Sequence, residues 1–401
     1  MLEKMRIFYI NPSLQDSDSW TGVRGRQLVQ ELRAAGAEVN TFPDVLANSL
    51  SQRPLERLVH CIKYFVKARI PPPFALFLIE YFMLARGIKR TAVGCWQIWR
   101  RRHVLRADVV LARSFEYEWT PCLAARILRR PLVLEAHSLC YIERQHRGRR
   151  HSRLQKWFEL VQWRCAERVW VVSQELEVII RENGISPDRI LFIPFGIRID
   201  NFVARQPRLR EMPLQIIYVG SFYPWHGIEL LLKAFSMAQA HVPGLRLCLV
   251  GDGIARSVSQ KETRTLGIEH SVDFTGWLPQ DKMIEHLNRS DIAVAPYLKL
   301  EPFYFAPVKI LDYMAAGLAI VASAQGQICE MLEHRSNGLL VSPGDAPALA
   351  DALVQLAENP RLRQRLGEAA RAKITYTYTW ERTVQGVLSV CQDAAIGRDS
   401  A

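Results

Sequence analysis

The sequence lacks the cysteine patterns of several common protein classes. It has no Cys-x-x-Cys pair, and none of its cysteine and histidine groupings has the spacing of a zinc site. The eight cysteines are scattered, and several lie in apolar runs, as Cys248 does. Such residues are typical of buried free thiols in a reducing compartment. We therefore expect neither a disulfide framework nor a metal cofactor.

A long hydrophobic run is also missing. The most apolar stretch, residues 74–85, is about twelve residues long and contains Glu80, whereas a membrane-spanning helix needs about 20 apolar residues. The first ten residues contain no signal-peptide hydrophobic region and lead directly into a strand pattern. We therefore expect the protein to stay in the cytoplasm.

The sequence has fewer acidic than basic residues. The 40 Asp and Glu residues face 52 Lys and Arg residues, which leaves a formal net charge of +12. This balance favours anionic partners, such as nucleic acids, acidic lipid headgroups or phosphorylated substrates. Because no helix-turn-helix, zinc-finger or RNP-type signature is present, we do not expect a nucleic-acid partner.

Strand and helix patterns alternate through both halves of the 401-residue chain. This alternation predicts crossover connections and parallel sheets covered on both faces, an α/β class. Strands are predicted at residues 5–10, 38–42, 108–112, 132–135, 168–172 and 190–194, and again at 214–219, 246–250, 272–274, 292–295, 319–322 and 339–341. We expect a Rossmann-like domain at 1–200, a hinge near 200–212 and a second Rossmann-like domain at 213–380. Residues 381–401 are expected to form a helix that returns to the first domain, and a tail.

Residues 55–106 interrupt this alternation with apolar and aromatic clusters that are laced with cations. Pro71–Pro73 divides the segment, and Trp96 and Trp99 precede three consecutive arginines. Aromatics beside clustered cations suit a helix lying on an anionic membrane surface. An ordinary helical insertion packed on the N-terminal sheet explains the same pattern equally well.

Three loops in the second half have glycine where a strand ends. The first contains Gly220 and Gly227 and leads into a helix, and the second contains Gly251 and Gly253. The third begins at Gly276, and a base or ribose could rest against the backbone of Gly276, Trp277 and Leu278. Helix N-termini direct backbone N–H groups at anions, so these loops predict a site for a diphosphate.

The fourth and strongest pattern runs through residues 291–317. A buried strand is followed by a loop and by a helix with Pro307 in its first turn. Lys309 and Asp312 are three residues apart on this helix, hence on one face. A cation near phosphate and a carboxylate near ribose hydroxyls would suit a nucleotide, although a solvated ion pair would have the same spacing.

Together these patterns resemble the retaining glycosyltransferases of family 4, which have the GT-B fold of two Rossmann-like domains facing a central cleft. The resemblance covers residues 214–380 closely and the first half more loosely. Its matching segments are Val219-Gly220, His226-Gly227, residues 249–253, 274–276, 291–296 and 312–317, Glu330 and residues 337–345, with residues 134–138, 171–175 and 193–197 in the first half. It implies transfer of a sugar from a nucleotide diphosphate sugar, UDP- or GDP-linked, to the hydroxyl of a glycan or lipid-linked acceptor. No catalytic metal is implied.

The polar positions depart from the family pattern. Ser221 and His226 replace an Arg and a Lys that grip the diphosphate, and Tyr304 and Asp312 replace two Glu. Asp312 can still accept hydrogen bonds from the ribose hydroxyls, whereas tyrosine cannot supply the carboxylate that contacts the donor sugar. Glu301 is a candidate replacement for it.

Our hypothesis is that Lys309 supplies the missing fixed charge on the diphosphate, with His226 assisting. Backbone amides around Pro307 and Val308 would share this task. Lys309 should then matter more for donor binding than His226.

In the first half, His137 resembles the family histidine that faces the donor sugar. Gly22 and Arg24 correspond to the acceptor side. The acceptor chemistry points to cell-surface glycan or lipid-linked saccharide synthesis, at the inner face of a membrane if the basic insertion binds there. A nucleotide-sugar epimerase or hydrolase, or a non-catalytic nucleotide-sugar-binding protein, are the alternatives.

Overall fold

The computed structural model describes residues 5–16, 20–43, 72–146, 153–202 and 213–399. The chain divides into two compact units. The first comprises Met1–Val172, Leu176–Ile193 and Val384–Ala401, and the second comprises Ser173–Glu175 and Pro194–Thr383. Each unit contains a six-stranded sheet, and all strand pairs in both sheets are parallel. The predicted α/β class is therefore confirmed. Most of the predicted hinge lies outside the described residues.

The first half of the chain forms a sheet in the order β2-β1-β3-β4-β5-β6. Its elements are β1 (Arg6–Ile10), α1 (Trp20–Ala34), β2 (Glu38–Phe42), α2 (Pro72–Arg101), β3 (Val109–Arg113), α3 (Thr120–Leu128), β4 (Leu132–Ala136), α4 (Cys140–His146), α5 (Arg153–Cys165), β5 (Arg168–Val171), α6 (Gln174–Glu182) and β6 (Ile190–Phe192).

The second half forms a sheet in the order β12-β11-β10-β7-β8-β9. Its elements are β7 (Gln215–Val219), α7 (Ile228–His241), β8 (Arg246–Val250), α8 (Arg256–Thr265), β9 (Val272–Gly276), α9 (Gln280–Arg289), β10 (Ile292–Ala295), α10 (Val308–Ala315), β11 (Ala319–Ser323), α11 (Ile328–Met331), β12 (Leu339–Val341), α12 (Ala346–Glu358), α13 (Pro360–Thr377) and α14 (Trp380–Asp399). Single 3-10 turns lie at Pro187–Arg189, Ile199–Asn201, Pro224–His226 and Glu269–Ser271.

The strands were predictable because they are continuous apolar runs. Every residue of β3, β4 and β11 is buried, as expected for strands of a parallel sheet covered on both faces. Two of these strands nevertheless carry a charged residue at or next to the carboxyl end. Arg113 closes β3, and Glu135 is the fourth residue of β4, and both are buried. Such residues require polar partners, which the site described below supplies.

The sequence patterns predict no helix at α4, α8 or α11. The helix α8 has only Ser259 and Thr263 as buried residues, so it has no apolar stripe to reveal it. The helices α4 and α11 are too short for a periodic pattern. In the insertion, α2 begins at Pro72 and runs unbroken to Arg101, because proline at the start of a helix gives up no needed N–H.

The side chain of Tyr313 attaches the helix α10 to two strands of the sheet. Its hydroxyl accepts a hydrogen bond from the backbone N–H of Val219 at 2.8 Å and donates to the carbonyl of Val294 at 3.2 Å. The helix is thereby attached to both β7 and β10 near their carboxyl ends. Lys309, in the first turn of α10, is positioned by this attachment.

Replacing Tyr313 with Phe should destabilise the second unit by about 1 to 3 kcal/mol, because the buried N–H of Val219 would lose its acceptor. Urea-induced unfolding followed by fluorescence measures the change. Tyr376→Phe is the matched control, since Tyr376 is 73% exposed and its loss should change the stability by less than about 0.5 kcal/mol. Equal stabilities of the two variants would contradict this account of α10.

Candidate active site

The three glycine-containing turns at the ends of β7, β8 and β9 are joined into one hydrogen-bonded layer. The N–H of Gly220 donates to the carbonyl of Val250, and that of Gly251 donates to the carbonyl of Gly276, each at 2.9 Å. The N–H of Phe222 also donates to Asp252 at 2.9 Å. The layer lies at the carboxyl ends of three adjacent parallel strands, the position where such sheets bind ligands.

Close contact between these turns explains several of their glycines without reference to a ligand. A Cβ on Gly251 would lie 2.0 Å from the carbonyl oxygen of Gly220, and one on Gly253 would lie 2.8 Å from Phe222 N. At Gly227, a Cβ would lie 1.7 Å from the carbonyl oxygen of Pro296, and its φ of 72° is left-handed. These glycines therefore shape the layer. Their predicted contacts with a diphosphate stay predictions.

Lys309 is the buried cation of this layer. Its Nζ donates to the hydroxyl of Tyr218 at 3.0 Å and lies 4.1 Å and 4.7 Å from the ring centroids of Tyr218 and Tyr297. A Cβ placed on Gly220 would be 3.0 Å from the same nitrogen. Lys309 therefore lies directly beside the turn that follows β7.

Burial lowers the pKa of Lys309 from its ordinary value to about 7. Its described neighbours, a phenol hydroxyl and two aromatic faces, are neutral, so they offset only part of the cost of burying an ammonium group. The predicted fixed charge is thus a group that titrates near neutral pH. An anion brought beside it would favour the protonated form.

His226 lies on the other side of the Tyr218 hydroxyl. Its Nδ1 is 2.5 Å from the carbonyl oxygen of Ser221 and 3.3 Å from the Tyr218 hydroxyl. A carbonyl can only accept, so we assign the proton to Nδ1, which leaves Nε2 as an acceptor. Burial, and then the charge of Lys309, lower the pKa of His226 to about 3. It is a neutral group at physiological pH.

The positions expected to contact the sugar and the ribose of the donor lie in different surroundings. The side chain of Glu301 is exposed and pairs with Lys299 at 2.9 Å, whereas Tyr304 is completely buried, with its ring centroid 4.4 Å from that of Phe305. Asp312 is half-buried, one residue before Tyr313. Pro307 immediately precedes α10, and Val308 is its first residue. The predicted roles of these five positions stay predictions.

Arg256 belongs to this region but was not predicted. It is the first residue of α8, and its Nη1 donates to Asp252 at 2.8 Å. The same nitrogen lies 3.1 Å from the place where a Cβ of Gly276 would be, beside half-exposed Trp277 and partly exposed Leu278. The cation directly after the Gly251-Asp-Gly253 loop was the signal that could have revealed it.

The first unit holds His137 in a buried polar cluster at the carboxyl ends of β1, β3 and β4. The Nε of Arg113 lies 2.8 Å from Nδ1 and 2.9 Å from Nε2 of His137. Glu135 is 4.0 Å from the same Arg113 nitrogen and accepts a hydrogen bond from the hydroxyl of Tyr9 at 3.3 Å. Burial, and then the charge of Arg113, lower the pKa of His137 well below its ordinary value.

The two residues predicted for the acceptor side lie on α1. Gly22 and Arg24 are both buried in its first turns. Thr21, their neighbour, accepts a hydrogen bond from Arg113 Nη1 at 3.2 Å through its carbonyl. The first turn of α1 therefore adjoins the cluster around His137.

Across the described residues, no group of three or more His, Cys, Asp or Glu side chains could hold a metal ion. Within the same residues, no helix combines the length and apolar character needed to cross a membrane.

Two family models match successive parts of the chain. The model for glycosyltransferase family 4 matches residues 22–201. The model for glycosyl transferases group 1 matches residues 200–373. The two matches together span both units.

Curated relatives with similar sequences are glycosyltransferases. The D-inositol 3-phosphate glycosyltransferase of Corynebacterium diphtheriae is 25% identical over 314 residues, which are 73% of this chain and 72% of that protein. The glycogen synthase of Mycobacterium tuberculosis is 28% identical over 214 residues, 53% of this chain and 48% of that protein. The chain thus matches about half the length of the second relative.

Solved structures share the fold over nearly the whole chain. Sucrose-phosphate synthase from Thermosynechococcus elongatus gives a TM-score of 0.70 at 20% identity and covers 97% of this chain and 99% of its own. Anabaena Alr3699/HepE, solved in complex with UDP and glucose, gives 0.70 at 19% identity and covers 99% and 100%. These similarities confirm the predicted fold.

Gly227→Ala should destabilise the chain more than a left-handed backbone alone explains. Gly267 has a similar φ of 67°, but nothing lies within 4 Å of its missing Cβ, so Gly267→Ala should cost about 1 to 2 kcal/mol. At Gly227 the contact with the Pro296 carbonyl adds to that cost. Urea unfolding of the two variants measures the difference, and equal losses would contradict the packing described for this turn.

Proposed function

Since the chain belongs to glycosyltransferase family 4, we propose that it transfers a sugar from a nucleotide diphosphate sugar to an acceptor hydroxyl with retention of configuration. The acceptor we propose is a glycan or a lipid-linked saccharide. The setting is the synthesis of a cell-surface glycan, on the cytoplasmic side of the membrane.

The observation that carries the donor proposal is the place of Lys309. It lies in the first turn of α10, beside the Gly220 turn, at the carboxyl ends of parallel strands. Glycosyl transfer from such a donor leaves negative charge on a diphosphate, and a cation with helix N–H groups stabilises that charge. His226 is neutral, so Lys309 supplies the charge here.

UDP is the first nucleotide to test, because the HepE structure with a similar fold contains UDP and glucose. We propose that the base lies along Gly276, Trp277 and Leu278, where the half-exposed indole of Trp277 offers an apolar face. Arg256 adds a cation at the same edge. A GDP-sugar is the second donor to test.

A thermal-shift panel of UDP-, GDP- and ADP-sugars tests donor binding. A ligand that binds only the folded chain stabilises it by about 2.7 kcal/mol at a concentration of 100 times Kd. We expect one nucleotide class to raise Tm clearly above the others. If no nucleotide sugar raises Tm, the donor proposal fails.

Affinity for UDP should fall as pH rises from 7 to 9. Below a pKa of about 7, Lys309 already carries its proton. Above it, the bound diphosphate has to draw a proton from solution, and the affinity falls by up to about tenfold per pH unit. Isothermal titration calorimetry in two buffers measures both the affinity and the proton uptake.

Variants separate Lys309 from its neighbours in that experiment. Lys309→Met should bind UDP weakly at pH 7 and remove the pH dependence, whereas His226→Gln should lose less affinity and keep it. Lys233→Met is the matched control, because Lys233 is exposed on α7. A pH dependence that survives in Lys309→Met, or a larger loss in His226→Gln, would contradict this division of roles.

The exposed side of α2 supports a membrane-bound setting for the acceptor. Gly87, Thr91, Gly94 and Ile98 face inward from α2 and are buried, whereas Tyr81, Trp96 and Trp99 are 60%, 55% and 52% exposed. Arg100 and Arg102 stack on the two indoles at 4.8 Å and 4.3 Å. Residues 81–107 contain seven Lys and Arg and no Asp or Glu. We propose that this side of α2 binds an anionic bilayer surface.

Flotation with lipid vesicles tests the bilayer proposal. The chain should float with vesicles of phosphatidylglycerol and phosphatidylcholine, and less with phosphatidylcholine alone, because the attraction includes charge. Trp96→Ala/Trp99→Ala should reduce the bound fraction several-fold, whereas Tyr376→Ala, an exposed aromatic of the second unit, should leave it unchanged. Binding that ignores lipid charge or the two tryptophans would contradict the proposal.

A further inference from the structure

Arg113 is a buried cation to which no sequence motif assigns a function. It is the last residue of β3 and only 1% exposed. Strand ends in a parallel sheet are the usual place for functional side chains. A guanidinium group also keeps its proton under all ordinary conditions, so Arg113 brings a permanent charge into the first unit.

The contacts of Arg113 join three neighbouring elements. Its Nε donates to the ring of His137 at 2.8 Å, just beyond β4, and its Nη1 donates to the carbonyl of Thr21 in the first turn of α1 at 3.2 Å. The Nε is also 4.0 Å from Glu135 Oε1. The side chain of Arg113 therefore connects His137 to the first turn of α1 by hydrogen bonds.

A second chain of contacts orients Glu135 beneath Arg113. The Tyr9 hydroxyl donates to Glu135 Oε2 at 3.3 Å, and Asn11 Nδ2 donates to that hydroxyl at 3.1 Å. Burial raises the pKa of Glu135, and the charge of Arg113 acts in the opposite direction. The carboxylate balances the guanidinium, which lowers the cost of burying both.

We propose that Arg113 is a positioning residue that holds His137 as an uncharged imidazole directed to a sugar hydroxyl. The proposal rests on the proposed function and on the resemblance of His137 to the family histidine that faces the donor sugar. An imidazole nitrogen that accepts a hydrogen bond from a guanidinium carries no proton. A second positive charge so close to Arg113 is also unfavourable, so both contact and charge hold His137 neutral.

The loop that carries His137 is held at its other end as well. Glu159 of α5 accepts a hydrogen bond from the N–H of Cys140, the first residue of α4, at 2.7 Å. Burial raises the pKa of Glu159 to about 8. His137, Ser138 and Leu139 thus lie between two side-chain contacts. Arg113 contacts His137 at the start of this segment, and Glu159 binds the backbone N–H of Cys140 directly after it. An imidazole fixed in this way can keep one geometry through the reaction.

An uncharged histidine suits glycosyl transfer. Breaking the bond to the diphosphate develops positive charge on the sugar ring. An imidazolium beside that ring would raise the energy of the transition state, whereas a neutral imidazole can still hydrogen-bond to a hydroxyl. Glu135, 4.0 Å from Arg113 Nε, partly offsets the permanent charge of Arg113.

Histidine NMR on the full chain tests the proposal directly, with His137→Asn used to assign the His137 signals. In the wild type, His137 should keep the shifts of a neutral imidazole at pH values below about 6.5, where a free histidine is already mostly protonated. In Arg113→Met it should titrate at a clearly higher pH than in the wild type. Arg113 contacts His137, Glu135 and Tyr9 continue the same cluster, and Glu159 binds the backbone of Cys140 in the segment that follows. Glu135→Gln serves to separate the effect of the carboxylate from that of Arg113 and should leave His137 neutral.

Kinetics on the best donor of the thermal-shift panel give the second measurement. Arg113→Met should lower kcat by about 10- to 100-fold with a small change in the donor KM, since displacing a reacting contact costs this much. Arg113→Lys should recover part of the loss, and Arg130→Met, at an exposed position, should lose nothing. If no sugar is transferred from any donor, the proposed function is refuted, whereas the NMR result for His137 is unaffected.

Two results would overturn the role of Arg113. The first is a wild-type His137 that titrates near pH 6.5. This measurement does not depend on the folding of any variant. The second is a folded Arg113→Met chain in which both the His137 titration and kcat are unchanged.

Discussion

The donor site that we propose depends on one interaction, the burial of the Lys309 ammonium group among neutral partners. The Tyr218 hydroxyl and the faces of Tyr218 and Tyr297 surround it, and burial lowers its pKa to about 7. The Tyr313 hydroxyl holds α10, and with it Lys309, against β7 and β10. Because no carboxylate among the described residues pairs with the ammonium group, the site keeps its capacity to respond to an arriving anion.

The fold was predictable from the sequence to a large extent because its determinants are local. Continuous apolar runs bounded by glycine and proline marked the strands, and Pro307 marked the start of α10. The prediction failed where local signals were weak, as in the helix α8, which is polar on nearly all sides. Pro71–Pro73 divides the insertion, and Pro72 begins an unbroken helix. Propensity alone does not distinguish a proline that ends a helix from one that begins it.

The contacts of the candidate site were less predictable because they join residues that are distant in sequence. Arg113 and His137 are 24 positions apart and meet only through the register of β3 with β4, in which Arg113 is opposite Glu135. The spacing of Lys309 and Asp312 indicated a shared face, but not that Lys309 is 8% exposed. The tautomer of His226 depends on the carbonyl of Ser221, a backbone group that no side-chain pattern reveals, and its neutral state depends on burial and on Lys309. Charge type can be read from sequence, whereas charge state requires the surroundings.

Each unit buries a cation of the candidate site, Arg113 in the first unit and Lys309 in the second. Arg113 stays charged at any ordinary pH and is therefore buried with Glu135. Among the residues that the structure describes, no carboxylate pairs with Lys309, and its burial lowers its pKa so that it gives up its proton readily. An arginine at position 309 would be charged before and after the donor bound, whereas Lys309 takes up its proton when an anion arrives beside it. A lysine whose proton affinity rises with the negative charge beside it strengthens its interaction as the leaving group develops charge, and only an interaction that strengthens in the transition state accelerates the reaction. Moving the cation from positions 221 and 226 to a buried lysine therefore need not weaken catalysis.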